Sequence, residues 1–265
     1  MLVVSVVSLK GGVGKTSVTL GLAGAAWDRG LRTLVIDLDP QANATTVLDP
    51  GSIARTMVDV LGEPRPGGLR TAIERSGWGP EVDIAPAERA LDRLNTPVEG
   101  GAVRLRVAMT GLDGYDLVLI DSPPSLGELT RNALAASHRA LVIAEPSLFA
   151  LQGAQQALEA VEAIRAHNLR LQPAGIVVNR LRAQSTEHRF RMDELQAAYG
   201  RLLFDPPVPD RTAIQQSEGA CVPVQAWRSQ GAREVADAFD DHLDRLLALA
   251  RSAADAGPLA RRSSP

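Results

Sequence analysis

Short unbroken apolar runs recur along the chain, each closed by a polar or glycine-rich break: Leu2–Val7, Thr33–Ile36, Val82–Ala85, Tyr115–Ile120, Arg139–Ala144 and Ala174–Val178. They lack the alternation of a half-exposed strand and are too short for buried helices, so they predict strands covered on both faces. Leu202–Phe204 predicts a shorter one. Between them lie segments of helical composition: Thr16–Trp27 ending near Gly30, Ile53–Leu61, Glu88–Leu94, Val98–Thr110, Gln152–His167, Glu187–Tyr199 and Ala232–Ala250. The last carries Val235, Ala238, Phe239, Leu243, Leu246 and Leu247 on one face and Asp237, Asp240, Asp241 and Asp244 on the other. That pattern predicts packing on the domain rather than on a membrane. Asn43–Thr46 is polar and predicts a mobile loop, residues 50–68 with their Gly and Pro an excursion over the surface, and Pro206, Pro207 and Pro209 a stiff loop. Strands alternating with helices imply an α/β fold, a mainly parallel twisted sheet with helices on both faces. A single domain over residues 1–251 is expected, followed at 252–265 by a small, polar, arginine-tipped tail expected to be disordered.

Composition narrows the chemistry. Hydrophobic residues make up 45% of the 265 but aromatics only 3%, so the core must be Val, Leu, Ile and Ala. A net charge of −3 gives no global attraction to nucleic acid or anionic membrane, so such binding needs a local patch. Cys221 is the only cysteine, which excludes a disulfide framework or a cysteine-built metal site within one chain and predicts a small half-buried residue. No apolar run approaches the roughly 18 residues of a membrane span. The first strand is too short, and its flank too glycine-rich, for a signal peptide, so a cytoplasmic protein is expected.

The strongest local signal follows the first strand. Gly11, Gly12 and Gly14 have no Cβ, so the backbone can turn its N–H groups toward an anion, and the helix opening at Thr16 points its N-terminus the same way. Strand, glycine loop, Gly14-Lys15-Thr16 and helix make a phosphate-binding P-loop. It departs from the plain pattern, since Leu9 stands where the first glycine belongs and a second lysine, Lys10, opens the loop. Of 28 basic residues only Lys10 and Lys15 are lysine. Both positions select a compact ammonium over the wider guanidinium. Asp37 and Asp39 leave the second strand at its carboxyl end, and Asp121 leaves the strand at 115–120 in the manner of a Walker B aspartate, which holds Mg²⁺ through its water shell. Arg180, Arg182, Arg189 and Arg191, with His188, form the densest basic cluster, with Arg211, Arg228 and Arg233 next.

KGGVGKTS at 10–17, VIDLDPQAN at 35–43, YDLVLIDSPPS at 115–125, GIVVNR at 175–180 and VPDRTAIQQSEGACVPV at 208–224 together resemble the ParA/MinD family of deviant Walker ATPases. The resemblance runs from about Leu2 to Ala250 and is nearest to the short ParA type that partitions plasmids or chromosomes. It implies that Gly11, Gly12, Val13, Gly14, Lys15, Thr16 and Ser17 cradle ATP, with Lys15 on the β- and γ-phosphates and the Thr16 hydroxyl on Mg²⁺. It implies that Lys10 crosses a homodimer interface to the partner's nucleotide, that Asp37 and Asp121 support Mg²⁺ through water, and that Asp39 positions the attacking water. Asn179 and Arg180 would face the adenine, and Pro207, Val208, Pro209 and Asp210 would close its pocket. The family further implies slow hydrolysis stimulated by a ParB-like centromere-binding protein, and non-specific DNA binding at the nucleoid by the ATP dimer. Arg180, Arg182, Arg189, Arg191 and Arg211 are the candidate DNA contacts. No helix-turn-helix precedes the P-loop, so specific operator binding of the long ParA type is not expected, and Ala213 stands where many relatives carry an arginine, which leaves open which arginines contact DNA.

Other members of the superfamily share parts of this pattern. A MinD-like division-site ATPase is expected to carry a C-terminal membrane helix with lysines and bulky apolar residues, and 257–265 reads GPLARRSSP. A nitrogenase-iron-protein-like reductase needs two cysteines per subunit. A ParA-like positioner of a protein cargo fits the same residues.

Overall fold

The computed structural model describes residues 1–255. In chain order the elements are β1 (Leu2–Val7), α1 (Lys15–Asp28), β2 (Thr33–Asp37), α2 (Asn43–Leu48), α3 (Met57–Gly62), β3 (Glu74–Arg75), β4 (Val82–Ala85), α4 (Arg104–Ala108), β5 (Leu117–Asp121) and α5 (Glu128–Ala136). Then follow β6 (Arg139–Ala144), α6 (Ala150–Ile164), β7 (Gln172–Val178), α7 (Thr186–Tyr199), α8 (Thr212–Gly219) and α9 (Gln230–Asp255). The greater part of the expected tail at 252–265 lies outside the described residues.

One sheet runs in the order β3-β4-β2-β5-β1-β6-β7, parallel except where β3 meets β4. β1 lies between β5 and β6, while the chain after β1 continues to β2 beyond β5. The connections therefore diverge at the carboxyl end of β1, which opens a crevice there. Both faces of the sheet are covered, as the unbroken apolar runs require. Val4 and Val6 point into a layer closed by α1 and α9, and Val3 into the opposite layer closed by α3, α4 and α5. Val142 and Ile176 pack beneath α6 with Leu195 of α7.

The predicted stripe of α9 is the buried one: Val235, Ala238, Phe239, Leu243 and Leu246 are all within the core. Part of its acidic face is neutralised by Arg29, which bonds Asp240 at 2.9 Å and Asp244 at 2.5 Å and so ties α9 to the end of α1. No helix among the described residues is long and apolar enough to cross a membrane.

Several expectations are corrected. Asn43–Thr46 is helical rather than a mobile loop, because Ala44 and Leu48 are buried and the Thr45 amide and hydroxyl both donate to Asp37, at 2.9 and 2.8 Å. The helix placed at Ile53–Leu61 starts only at Met57. Thr56 caps it reciprocally with Asp59, and Ile53 is left exposed. Val98–Thr110 holds just one α-helical turn and a half, α4, after a 3₁₀ turn at Gly101–Val103, since Gly100 takes φ 71° and Asn132 ties down both Gly101 O and the Leu105 amide. Glu88–Leu94 forms a 3₁₀ helix over Arg89–Leu94. Leu202–Phe204 is not a strand: a 3₁₀ turn covers Gly200–Leu202, and Leu203 makes a single bridge to Ile176.

Candidate functional site

The loop between β1 and α1 is shaped by two left-handed glycines, Gly12 at φ 78° and Gly14 at φ 84°. Gly14 is required twice over, because a Cβ there would also run into the Asn179 amide. Asn179 Nδ2 donates to Val13 O at 2.8 Å and Arg180 Nη1 to Gly12 O at 2.5 Å, so the end of β7 braces the loop from behind. The left-handed Arg180, at φ 60°, turns its side chain to that task.

α1 begins at Lys15, whose side chain is only 6% exposed. Burial lowers its pKa, while the nearby Asp121 and Asp39 carboxylates act to raise it. Thr16 Oγ1 donates to Asp121 Oδ2 at 2.7 Å, and Thr19, one turn on, to Asp121 Oδ1 at 3.3 Å. Asp37 and Asp121 are partners in the β2/β5 register, side by side at the sheet's carboxyl edge. Both are fully buried. Desolvation pushes Asp37 up to about 6, against three hydrogen bonds from Thr45 and the Asp39 amide. Desolvation, then the charge of Asp37, pushes Asp121 up to about 7. A pair of buried carboxylates held this way is short of positive charge.

Asp39 follows, 8% exposed, with Oδ1 accepting the Gln41 amide at 2.9 Å. Its carboxylate, Gly12, Gly14, Lys15, Thr16, Ser17 and Pro124 wall a cleft of about 420 Å³, together with Arg180, Glu218 and residues of α2. Among the described residues no cluster of three or more His, Cys, Asp or Glu is placed to hold a metal ion directly. A divalent ion here has to draw most of its ligands from hydroxyl, water and phosphate oxygens, which is how Mg²⁺ is ordinarily held.

The other sequence-predicted residues divide. Lys10 does not line the cleft of its own chain. Its Nζ lies 3.3 Å from Ser147 Oγ and 3.7 Å from Glu145 Oε2, beside the exposed Leu148 and Phe149. Gly11 packs near Pro124. Asn179 sits beneath the loop, its Oδ1 buried with no partner. Pro207–Asp210 extends the sheet edge: the Val208 amide donates to Val178 O and the Asp210 amide to Leu181 O, and none of the four residues lines the cleft. Among the arginines, Arg182 is paired with Asp210, Arg191 with both Glu187 and Glu194, and Arg211 with Glu234, while Arg189 is exposed. The spacing of Glu187, Arg191 and Glu194, four and three residues apart, carried that pairing in plain view. Thr45, Thr19 and Glu218 were not singled out. Thr19, one helical turn beyond Thr16, had a readable signal, whereas nothing local marks Glu218.

A family model described as an AAA domain matches residues 1–172. The chain is 34% identical over 232 residues to the chromosome-partitioning ATPase Soj of Thermus thermophilus, covering 86% of this chain and 90% of that protein. The chain belongs to the ParA/MinD family of partition ATPases. It is also 30% identical to protein IncC of Escherichia coli over 236 residues, 85% of this chain, and it spans 63% of that protein's length. Among solved structures, cobyrinic acid a,c-diamide synthase from Mycobacterium smegmatis with bound ATP analog and magnesium superposes with a TM-score of 0.77. It is 28% identical and covers 96% of this chain and 97% of that one. The P-loop sheet anticipated from the apolar runs is therefore the fold of the family.

Proposed function

We propose that this ParA/MinD-family chain is an Mg²⁺-dependent ATPase that dimerises on ATP, binds DNA without sequence preference as the dimer, and is released by hydrolysis. The observation that carries the reading is that Lys15, Thr16 and Asp39 wall the cleft, with Asp121, bonded to Thr16, and its register partner Asp37 buried directly behind them, while Lys10 lies outside it. The residues fit Mg²⁺ and ATP. The backbone of Gly11–Thr16 is opened by left-handed glycines, Lys15 supplies a buried ammonium, and the electron-rich pair Asp37 and Asp121 is electrostatically incomplete. Mg·ATP brings the cation that this pair lacks and the phosphoryl group to be transferred. Lys15 would hold the β- and γ-phosphates, and Thr16 would turn its hydroxyl oxygen from Asp121 to the metal. Asp39, with Oδ1 held by Gln41, offers Oδ2 to the attacking water and fixes it in line. Asn179 Oδ1, buried beneath the loop without a partner, would have to be uncovered to meet the adenine amine, and Pro207–Asp210, outside the cleft here, would have to close on the base.

Lys10 and the exposed Leu148 and Phe149 lie on one surface, which suits a second copy facing the same nucleotide. Two facing triphosphates need cations between them, and a lysine donated by each partner supplies one per site. Hydrolysis removes the γ-phosphate and with it the reason to stay paired, so the dimer is a timed switch. Slow basal turnover, raised by a ParB-like partner, and a cytoplasmic location on the nucleoid follow from that cycle.

The test is turnover against binding. Asp39→Ala is expected to bind Mg·ATP with wild-type affinity and to lose turnover by about a hundredfold or more, the scale of losing a positioned base. Wild-type hydrolysis by that variant would remove Asp39 from the mechanism.

DNA binding has its own signature. The ion pairs of Arg182 and Arg211 lie at the surface, where such pairs contribute at most about 1 kcal/mol, so phosphates can displace the carboxylates, whereas Arg191 is more enclosed and would have to leave both Glu187 and Glu194. Affinity of the ATP dimer for unrelated duplexes should fall steeply with salt and vary little with sequence. The triple variant Arg182, Arg189, Arg191→Ala should bind an order of magnitude or more weaker in a filter or mobility assay. Unchanged binding would move the site to Arg211, Arg228 and Arg233.

A further inference from the structure

α5 opens on an acid that the fold leaves uncompensated. Glu128 is only 1% exposed, and its Oε1 is enclosed with no hydrogen-bond partner. The cation beside it is Arg131, whose Nε stands 3.7 Å from Oε2 and is itself without a hydrogen bond. A buried acceptor left without a donor is costly and uncommon, so whatever covers Glu128 does so against a standing penalty.

The cover is the segment 96–100. Oε1 packs so closely on Gly101, where that segment ends, that a Cβ there would collide with it and with Val98. The segment is pinned at its two ends. At one, Asn95 O accepts the Glu128 amide at 3.0 Å, Asn95 Oδ1 accepts the Leu129 amide at 3.3 Å, and Asn95 Nδ2 donates to Ser125 Oγ at 3.5 Å. At the other, Gly101 O accepts from Asn132 Nδ2 at 2.9 Å, next to the left-handed Gly100. Between the ends every residue is exposed, and Thr96, Pro97 and Glu99 make no hydrogen bond or ion pair with any described residue. A strap held at two points, over a group that gains water when uncovered, can open without unfolding the rest of the domain.

Asn95 determines what such an opening disturbs. The loop it braces through Ser125 also carries Pro124, which walls the nucleotide cleft and lies against Gly11 of the phosphate loop. Thr130 of α5 holds the same loop by donating to Ser125 O at 2.6 Å. When 96–100 lifts, Asn95 releases both Ser125 and the first amides of α5. Pro124 then loses its support from behind.

We propose that residues 96–100 are a latch, loosened by the uncompensated Glu128, that braces the Pro124 wall of the cleft when shut, so that bound nucleotide and the shut latch favour each other. Such coupling is reciprocal. The link to the cleft rests on the ATP reading above, and the latch itself does not.

The test is amide hydrogen exchange on the full-length protein and its Glu128→Leu variant, at several low urea concentrations, without nucleotide and with Mg·ADP, whose binding is followed separately by calorimetry. The Gly101 and Leu129 amides report the latch, because their acceptors, Val98 O and Asn95 Oδ1, belong to it. In the parent both should exchange faster than the amides of β5 and at a rate that low urea does not change, the mark of an opening that exposes little surface. Leucine fills similar space with no polar atom to satisfy, and should slow both about tenfold to a hundredfold, the scale of one unsatisfied buried acceptor. Glu128→Gln, with the shape kept and the charge gone, should slow them in the same direction and carries the test if the leucine variant does not fold. Saturating Mg·ADP should slow both in the parent. Latch amides as protected as those of β5, or unmoved by either substitution, overturn the latch. Slowing by the substitutions but not by bound Mg·ADP overturns the link to the cleft alone. Failure of ADP to bind at all overturns the nucleotide reading and leaves the latch standing on the substitutions.

Discussion

Lys10→Ala in an Asp39→Ala background is expected to bind Mg·ATP as a monomer and to fail to dimerise. In an ordinary P-loop the residue before the glycines serves loop geometry, and replacing it leaves the oligomeric state alone. Here the ammonium stands outside its own cleft, on Ser147 and Glu145, with its side chain 46% exposed. Such a surface pair contributes at most about 1 kcal/mol, so giving it up to reach a partner's phosphates costs little. An ammonium buried against phosphate in the dimer is worth far more: truncating one side of such a pair costs about 2 to 5 kcal/mol. At 1.4 kcal/mol per decade that is roughly 30-fold to several-thousand-fold in dimer affinity for each site. Lys15→Ala should fail one step earlier, at nucleotide binding, since its ammonium is on the wall of the cleft itself. Light scattering with ATP reads both. A double variant that dimerises as well as its Asp39→Ala parent removes Lys10 from the interface.

The parts of this molecule that could be read from sequence are those where one residue type serves one environment. β1, β2, β5 and β6 are flanked by helices on both faces, so their residues are apolar without alternation and stand out from the chain. The acids at the carboxyl ends of β2, β5 and β6, Asp37, Asp121 and Glu145, stand out for the opposite reason, being charges that follow directly on buried apolar residues. α2 is not legible in its own sequence, NATTVL, because it carries polar side chains whose partners are distant. Thr45 is buried against Asp37, eight residues back and one element away, and a local pattern cannot show that. α4 and α5 depend on each other in the same way, through Asn132, whose side chain holds the start of a helix 27 residues upstream by accepting the Leu105 amide.

The site divides along the same line. Lys15, Thr16, Asp37, Asp39 and Asp121 come together because the sheet register aligns the ends of β1, β2 and β5, a consequence of the topology that the motifs imply. Asn179 and Val208 show what motifs leave open. Each has a group committed to the protein's own backbone, Asn179 Nδ2 to Val13 and the Val208 amide to Val178, so only part of each is left for a ligand. Glu218 reaches the cleft through the placement of α8 against α1.

Asp121→Asn is expected to make the nucleotide-free protein more stable than the parent at pH 8, and less responsive to Mg·ATP. Asp37 and Asp121 have folded pKa values near 6 and near 7, raised from 3.8. Below about pH 4 both are protonated in the folded and the unfolded chain, and the pair has no effect on stability. Between about pH 4 and pH 7 the unfolded chain releases these protons while the folded chain keeps them, so the pair lowers stability as pH rises. The whole penalty is present above pH 7. Desolvation of both acids, and the charge of Asp37 on Asp121, are its causes. Replacing Asp121 by Asn removes its own share and relieves Asp37 of a neighbouring charge, and the amide can still bond to the Thr16 and Thr19 hydroxyls. His242 works in the opposite direction. Buried and pushed down to about 4, it makes stability rise with pH up to its ordinary value of 6.5. It is common to both proteins and cancels in their difference. The measurement is the difference in unfolding free energy between variant and parent at pH 5, 6, 7 and 8, without nucleotide and then with Mg·ATP. Without nucleotide the variant should gain on the parent with each step in pH. With Mg·ATP the parent should recover, because the cation offsets the repulsion that the variant no longer has, and ligand binding adds to folding stability by mass action. A difference that stays flat from pH 5 to pH 8 would show that Asp121 holds no such strain and that its burial is already compensated within the chain.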